Sequence, residues 1–183
     1  MKNVIRAAAI ASLISLTACG GATSDAASGN DDLTSSFDPV AQFAAVQRAA
    51  SQYTSGIVAV SLSGQREAAA SLSKSSCSSF AWVWTVMGSD GMFVDVQVNA
   101  SGVKVLAHEH RMLFAGEGTF DPTTLVVDAQ DVLSISSSME QAQPTSIQLS
   151  AGLAQELTGP HWAVTYPENE SMTIDALTGQ TSN

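Results

Sequence analysis

Between Phe80 and Val86 large apolar residues alternate with smaller ones. Phe80, Trp82, Trp84 and Val86 point one way, and Ala81, Val83 and Thr85 the other. A period of two commits this stretch to a strand with one face buried. Gly88-Ser89-Asp90-Gly91 then supplies a hairpin turn, and Met92 to Val98 pairs back. Two of the chain's three tryptophans stand on that one face. Each removes roughly 150–250 Å² from water when buried, so the face needs a second layer over it.

The layer is available on either side. Phe37-Asp38-Pro39 precedes Val40, Phe43, Ala44, Val46, Gln47 and Ala50, which recur at helical spacing. Asp38 suits the cap of that helix and Pro39 its first position, and Gly56 follows its expected end near Gln52. Ile57 to Ser63 reads as a strand, with Val58, Val60 and Leu62 opposite Ile57, Ala59 and Ser61. Gly64 to Ser79 reads as a loop with a helical turn at Glu67 to Ala70. After the hairpin, Val103 to Phe114 continues the sheet. A second helix is expected from about Asp128 to Gln141 through Val132, Ile135 and Met139. Thr123 to Val127 stays open between that helix and a strand, since its residues prefer strands. Ile147 to Ser150, His161 to Tyr166 and Met172 to Asp175 read as three more strands, with a turn at Pro167-Glu168-Asn169-Glu170.

Four segments recur in order at a spacing of about 80 residues, which reads as an internal duplication. Phe37-Asp38-Pro39 returns as Phe120-Asp121-Pro122, and Val60-Ser61-Leu62-Ser63-Gly64 as Ile147-Gln148-Leu149-Ser150-Ala151-Gly152. Trp82-Val83-Trp84-Thr85-Val86 returns as Trp162-Ala163-Val164-Thr165-Tyr166, and Asn99-Ala100-Ser101-Gly102 as Asp175-Ala176-Leu177-Thr178-Gly179. The expected fold is therefore α+β, with two tandem units at 37–114 and 120–183. Each is a helix followed by three antiparallel strands, with Trp82 and Trp162 at the two cores and Trp84 the candidate for a place between the copies. The closing segment Met172 to Gly179 resembles the end of a PepSY-type domain, more closely in the second unit than in the first. The same outline resembles cystatin-like modules and the tandem repeats of beta-lactamase inhibitors. These resemblances imply modules that bind or restrain proteins, peptidases included, and that require no cofactor.

The start of the chain carries an address. Lys2 and Arg6 precede an apolar run from Ala7 to Leu16, too short and interrupted for a membrane span of roughly 20 residues. With Leu16-Thr17-Ala18-Cys19, residues 1–18 resemble a bacterial lipoprotein signal peptide with its lipobox. The resemblance implies cleavage before Cys19 and acylation of that residue with palmitate-type chains. Gly20, not Asp, follows Cys19, which in a diderm bacterium implies the outer membrane, facing the periplasm, over the inner one. Residues 19–36 are rich in Gly, Ser and Asp and read as a tether. With Cys19 acylated, Cys77 has no intrachain partner, and in its serine run it reads as a packed, unreactive thiol.

Charge narrows the partners. Loss of Lys2 and Arg6 leaves five basic residues against 17 acidic ones, a formal charge of −12. From Met112 onward there are nine acids and no Lys or Arg. Such a chain does not attract nucleic acid or anionic lipid electrostatically. Residues placed for chemistry are few. His108 and His110 share a face of an expected strand, and with Glu117 or Asp121 they form a weak metal candidate. His161 reads as packing beside Trp162, and Asp175 as a turn residue bonding amides two positions on. No Gly-x-Ser-x-Gly elbow, phosphate loop or Cys-x-x-Cys pair is present. The expectation is a non-catalytic lipoprotein, moored to the bilayer through Cys19, that binds an envelope protein or peptide. The alternatives are a metal-binding lipoprotein using His108 and His110, and a structural envelope assembly factor.

Overall fold

A computed structural model describes residues 37–67, 76–139, 143–152 and 159–182. Its centre is a single eight-stranded sheet in which every pairing is antiparallel. The strands are β1 (Val58–Arg66), β2 (Phe80–Met87), β3 (Met92–Asn99), β4 (Gly102–His110), β5 (Ser146–Ser150), β6 (His161–Thr165), β7 (Ser171–Asp175) and β8 (Thr181–Ser182). Two α-helices occur among the described residues, α1 (Phe43–Ala50) and α2 (Ala129–Met139). No helix among those residues is long and apolar enough to cross a membrane.

The order across the sheet is β4-β3-β2-β1-β5-β6-β7-β8. This corrects the expectation of two separate helix-plus-three-strand units. Each half is a helix followed by a four-strand meander, and the two meanders share one sheet. The join is β1 against β5, from Ser61↔Ser150 to Gln65↔Ser146, with Leu62 opposite Leu149. The physical reason is edge chemistry. A separate first unit would leave the apolar strand β1 with a row of unpaired amides and carbonyls, and β5 would do the same in the second. Pairing satisfies both edges and merges the two apolar faces. The free edges fall instead on two-residue β8 and on β4, which carries Lys104 and a register shift opposite Asp95/Val96. Both are devices that discourage further pairing.

One row of side chains runs across the covered face: Val105, Val96, Trp84, Leu62, Leu149, Trp162 and Ile174. Val105 is partly buried at the edge, and the other six are fully buried in one core that takes in both halves. Trp84 and Trp162 hold corresponding places, opposite Leu62 and Leu149. The letter-by-letter match instead sets Trp82, two residues earlier, against Trp162. The indoles confirm the correction. Trp84 Nε1 donates to the Pro39 carbonyl at 3.0 Å, and Trp162 Nε1 to the Val127 carbonyl at 3.0 Å. Both acceptors lie just ahead of the helix of the same half. Trp82 instead donates to the Cys77 carbonyl at 2.7 Å. None of the three lies between separate cores.

Local expectations met several adjustments. Asp38 accepts from the amides of Val40 and Ala41, so it caps a turn, and α1 begins later, at Phe43. A bulge between Ala59 and Ser61 turns Ala59 to the core with Leu62, breaking the simple alternation read for that strand. Residues 122–124 form a short 3₁₀ turn outside α2, with Asp121 accepting from the Thr123 amide. Most of the expected helical turn at Glu67 to Ala70 lies outside the described residues.

Candidate functional site

Both helices pack on the tryptophan side. The opposite side of the sheet is lined by different chemistry. One row reads Lys104, Gln97, Val83, Ser63, Gln148, Ala163, Thr173 and Ser182. The next reads Ala107, Asp95, Thr85, Ser61, Ser150, His161 and Asp175. Except for His161, these side chains are half-buried or exposed. The sequence reason is period two: each strand places a large apolar residue inward and a small or polar one outward. The result is a broad neutral surface of hydroxyls and amides, with few charges and no large aromatic in these two rows.

At the β3–β4 end this surface deepens into a cleft of about 280 Å³ lined by Thr85, Phe93, Asp95, Ala107, His108, Glu109 and Arg111. Thr85 Oγ1 donates to Asp95 Oδ1 at 2.7 Å. Phe93 lies on the outer side of β3, opposite Met87 and Glu109, yet is only 2% exposed. Its cover is Arg111, whose guanidinium sits 3.7 Å from the ring centroid and 4.8 Å from that of Phe114. Arg111 Nη1 and Nη2 donate to both Glu117 oxygens, at 2.8 and 3.2 Å. The Phe114 amide donates to the same carboxylate at 2.7 Å.

Hydrogen bonding from Arg111 holds the Glu117 carboxyl below its ordinary range, with the Phe114 amide assisting. A carboxyl depressed in the folded state stabilises the fold above its unfolded pKa, and this contribution is lost as pH falls through its folded value. Glu117→Gln should therefore flatten the acid limb of the pH–stability profile, measured by urea melts across the carboxylate range. An unchanged limb would remove the pair from the acid response.

The expected metal residues do not converge. His108 and His110 lie on the helix side of β4, opposite Val94 and Met92. His108 stacks on Tyr53 with ring centroids 4.3 Å apart. Glu117 is held by Arg111, and Asp121 caps its own turn through the amide and hydroxyl of Thr123. No group of three or more His, Cys, Asp or Glu placed to hold a metal ion occurs among the described residues. His161 is buried, with Nδ1 3.2 Å from the Gly159 carbonyl. Asp175 accepts from the amides of Leu177 and Thr178, both at 2.8 Å, which is the turn role its place predicts. Cys19 lies outside the described residues.

Cys77 is 1% exposed and unpaired with another cysteine. Burial, aided by the carboxylates of Asp38 and Asp128, pushes its thiol from the usual 9.0 up to about 12. Its raised folded pKa stabilises the native state below pH 9, and the contribution fades as pH climbs toward 12. At pH 8 a native chain carrying Cys19→Ser, so that Cys77 is its one thiol, should resist Ellman's reagent and react only after denaturant is added. Rapid labelling of the native chain would contradict this burial.

Sequence reasoning missed the Arg111 cluster. The run His108-Glu109-His110-Arg111 reads as a solvated strand end, because Phe93 and Glu117 reach Arg111 from a neighbouring strand and a later turn. The available signal was the charge itself: Arg111 is the last basic residue in the chain, with Met112, Leu113 and Phe114 directly after it. Compared with protein-family models, with curated proteins and with solved structures, the chain matches none.

Proposed function

We propose that this chain is an extracytoplasmic lipoprotein, anchored through acylated Cys19 to the periplasmic side of an outer membrane, that binds an envelope protein or peptide without catalysis. The observation that carries the reading is the outer face of the sheet. A wide antiparallel surface of Ser, Thr and Gln is left to one side while both helices are spent on the other. Rigid, hydrogen-bond-rich surfaces of this kind suit protein recognition, where polar groups fix register and a few apolar anchors supply affinity. The anchor and tether rest on the lipobox resemblance, and they hold such a surface near its partner at raised effective concentration.

The test uses the full-length chain in cells that make it. A photo-crosslinking benzoylphenylalanine replaces Gln148, near the centre of the outer face. A discrete adduct with one envelope protein is expected, lost when the neighbouring Ser63 becomes Arg. Adducts with lipid alone, or none, would overturn the binding reading. Labelling with a palmitate analogue, compared with Cys19→Ser, tests the anchor separately. An unlabelled native chain would overturn the lipoprotein part.

A further inference from the structure

The loop after β4 does the reverse of what loops ordinarily do. Exposed loop tips favour small and polar residues. Here Met112 is 88% exposed and Phe114 is 67% exposed, with Leu106 of β4 at 49%. The backbone that presents them is tied down at several points. The Arg111 amide donates to the Gly91 carbonyl at 3.3 Å, and Arg111 Nη1 donates to the Met112 carbonyl at 3.2 Å. The Glu117 amide donates to the Phe114 carbonyl at 3.0 Å, and the Glu117 carboxylate receives the Phe114 amide in return. The bidentate Arg111–Glu117 pair closes the ring, and both side chains are shielded, at 21% and 30% exposure. Arg111 is wedged between Phe93 and Phe114. Two large apolar side chains are thus held outward on a preorganised base, and their ordering entropy is spent before any partner arrives.

We infer that loop 111–117 is the apolar anchor of the binding surface, and that its occupant is a protein partner with a preformed apolar pocket rimmed by basic groups. The inference rests on the binding reading above and names the chemistry of the partner. A knob calls for a concave acceptor, since apolar pockets gain most from rigid, well-ordered insertions. Charge selects among acceptors. Asp95 and Glu109 line the cleft beside the loop, and the full chain carries a formal charge of −10. An anionic bilayer repels such a surface, and loops that enter lipid are usually flanked by Lys and Arg. Arg111 is bidentate to Glu117 and lies 3.9 Å from Glu109 as well, so one guanidinium is shared by two carboxylates, and no Lys or Arg follows it. A second copy is equally acidic and is disfavoured for the same reason. A basic rim around an apolar pocket satisfies both the knob and the carboxylates.

The test places benzoylphenylalanine at Met112 or Phe114 of the full-length chain in its own cells. Val126, 69% exposed elsewhere on the surface, serves as the apolar control, and Gln148 as the reporter of the outer face. The expected result is one protein adduct, the same from both loop positions, at roughly tenfold the yield of position 126, as a hot spot requires. The crosslinked peptide of that protein should come from an apolar pocket bordered by Lys or Arg. Phe114→Asp should abolish the adduct at 148 with a small fall in melting midpoint from the lost ring–Arg111 contact. Met112→Asp, at a side chain 88% exposed, should abolish it with the midpoint unchanged. Phospholipid adducts at 112, or adducts with a second copy, would overturn the proposal. A protein adduct at 148 that survives Phe114→Asp, with none at 112 or 114, would overturn the anchor and leave the binding reading standing. Absence of protein adducts at all of these positions would remove both.

Discussion

Trp84→Ala should destabilise the chain by about 3–5 kcal/mol, a large share of the 5–15 kcal/mol that typically separates folded from unfolded. Trp84 is fully buried on the strand next to the β1–β5 join, opposite Leu62 on one side and Val96 on the other. Its ring lies 4.9 Å from that of Phe43 on α1 and 6.2 Å from that of Phe120. Phe120 in turn bridges to Ala59 through its backbone. One side chain therefore ties together α1, the centre of the sheet and the segment leading to α2. Truncation opens a cavity in contact with all three, and such cavities collapse poorly when their walls belong to different elements. The indole also donates to the Pro39 carbonyl. Trp84→Phe keeps most of the burial but orphans that acceptor, for a smaller loss of about 1–3 kcal/mol. Chemical denaturation reads that loss directly, and parallel thermal scans should show the alanine variant melting earlier by roughly 10 °C or more. A loss below about 1 kcal/mol would mean that the ring is not the common wall of the core.

The parts legible in the sequence were those fixed by neighbours in the chain. The β2–β3 hairpin follows from seven alternating residues and a Gly-Ser-Asp-Gly turn, and both strands begin where the pattern places them. Alternation within single strands also contains the outer face, since Ser61, Ser63, Thr85 and Gln148 each lie between two buried residues of their own strand. What could not be read was the join. Leu62 and Leu149 pair across a long intervening chain, and nothing local distinguishes a strand destined for an edge from one destined for the centre. The same blindness explains the misplaced tryptophan match. Aligning by letter sets Trp82 against Trp162, whereas register across the join sets Trp84 there. Arg111 was missed for a related reason: its partners Phe93 and Glu117 reach it through a strand ladder and a turn.

Gly64 supplies the second large effect. A glycine in the interior of a central strand weakens it unless something occupies the vacated space. Gly64 lies directly opposite Trp82 on β2, and a Cβ built there would stand 2.6–2.9 Å from three carbons of that indole. The ring cannot withdraw. It is fully buried, leans on Phe80 at 5.6 Å between centroids, and is fixed by its hydrogen bond to the Cys77 carbonyl. The strand itself is held on both sides by β2 and β5. Gly64→Ala should therefore destabilise by about 1–3 kcal/mol, although alanine ordinarily improves on glycine in a chain of this kind. The mechanism is checked by giving the methyl room. Trp82→Phe alone opens a gap and orphans the Cys77 carbonyl, for a further loss of about 1–3 kcal/mol. In the double variant the new methyl fills part of that gap, so the combined loss should fall short of the sum by about 1 kcal/mol or more. Urea melts of the four proteins give the coupling directly. Strict additivity would show that Gly64 is required by its backbone alone and that Trp82 does not occupy its place.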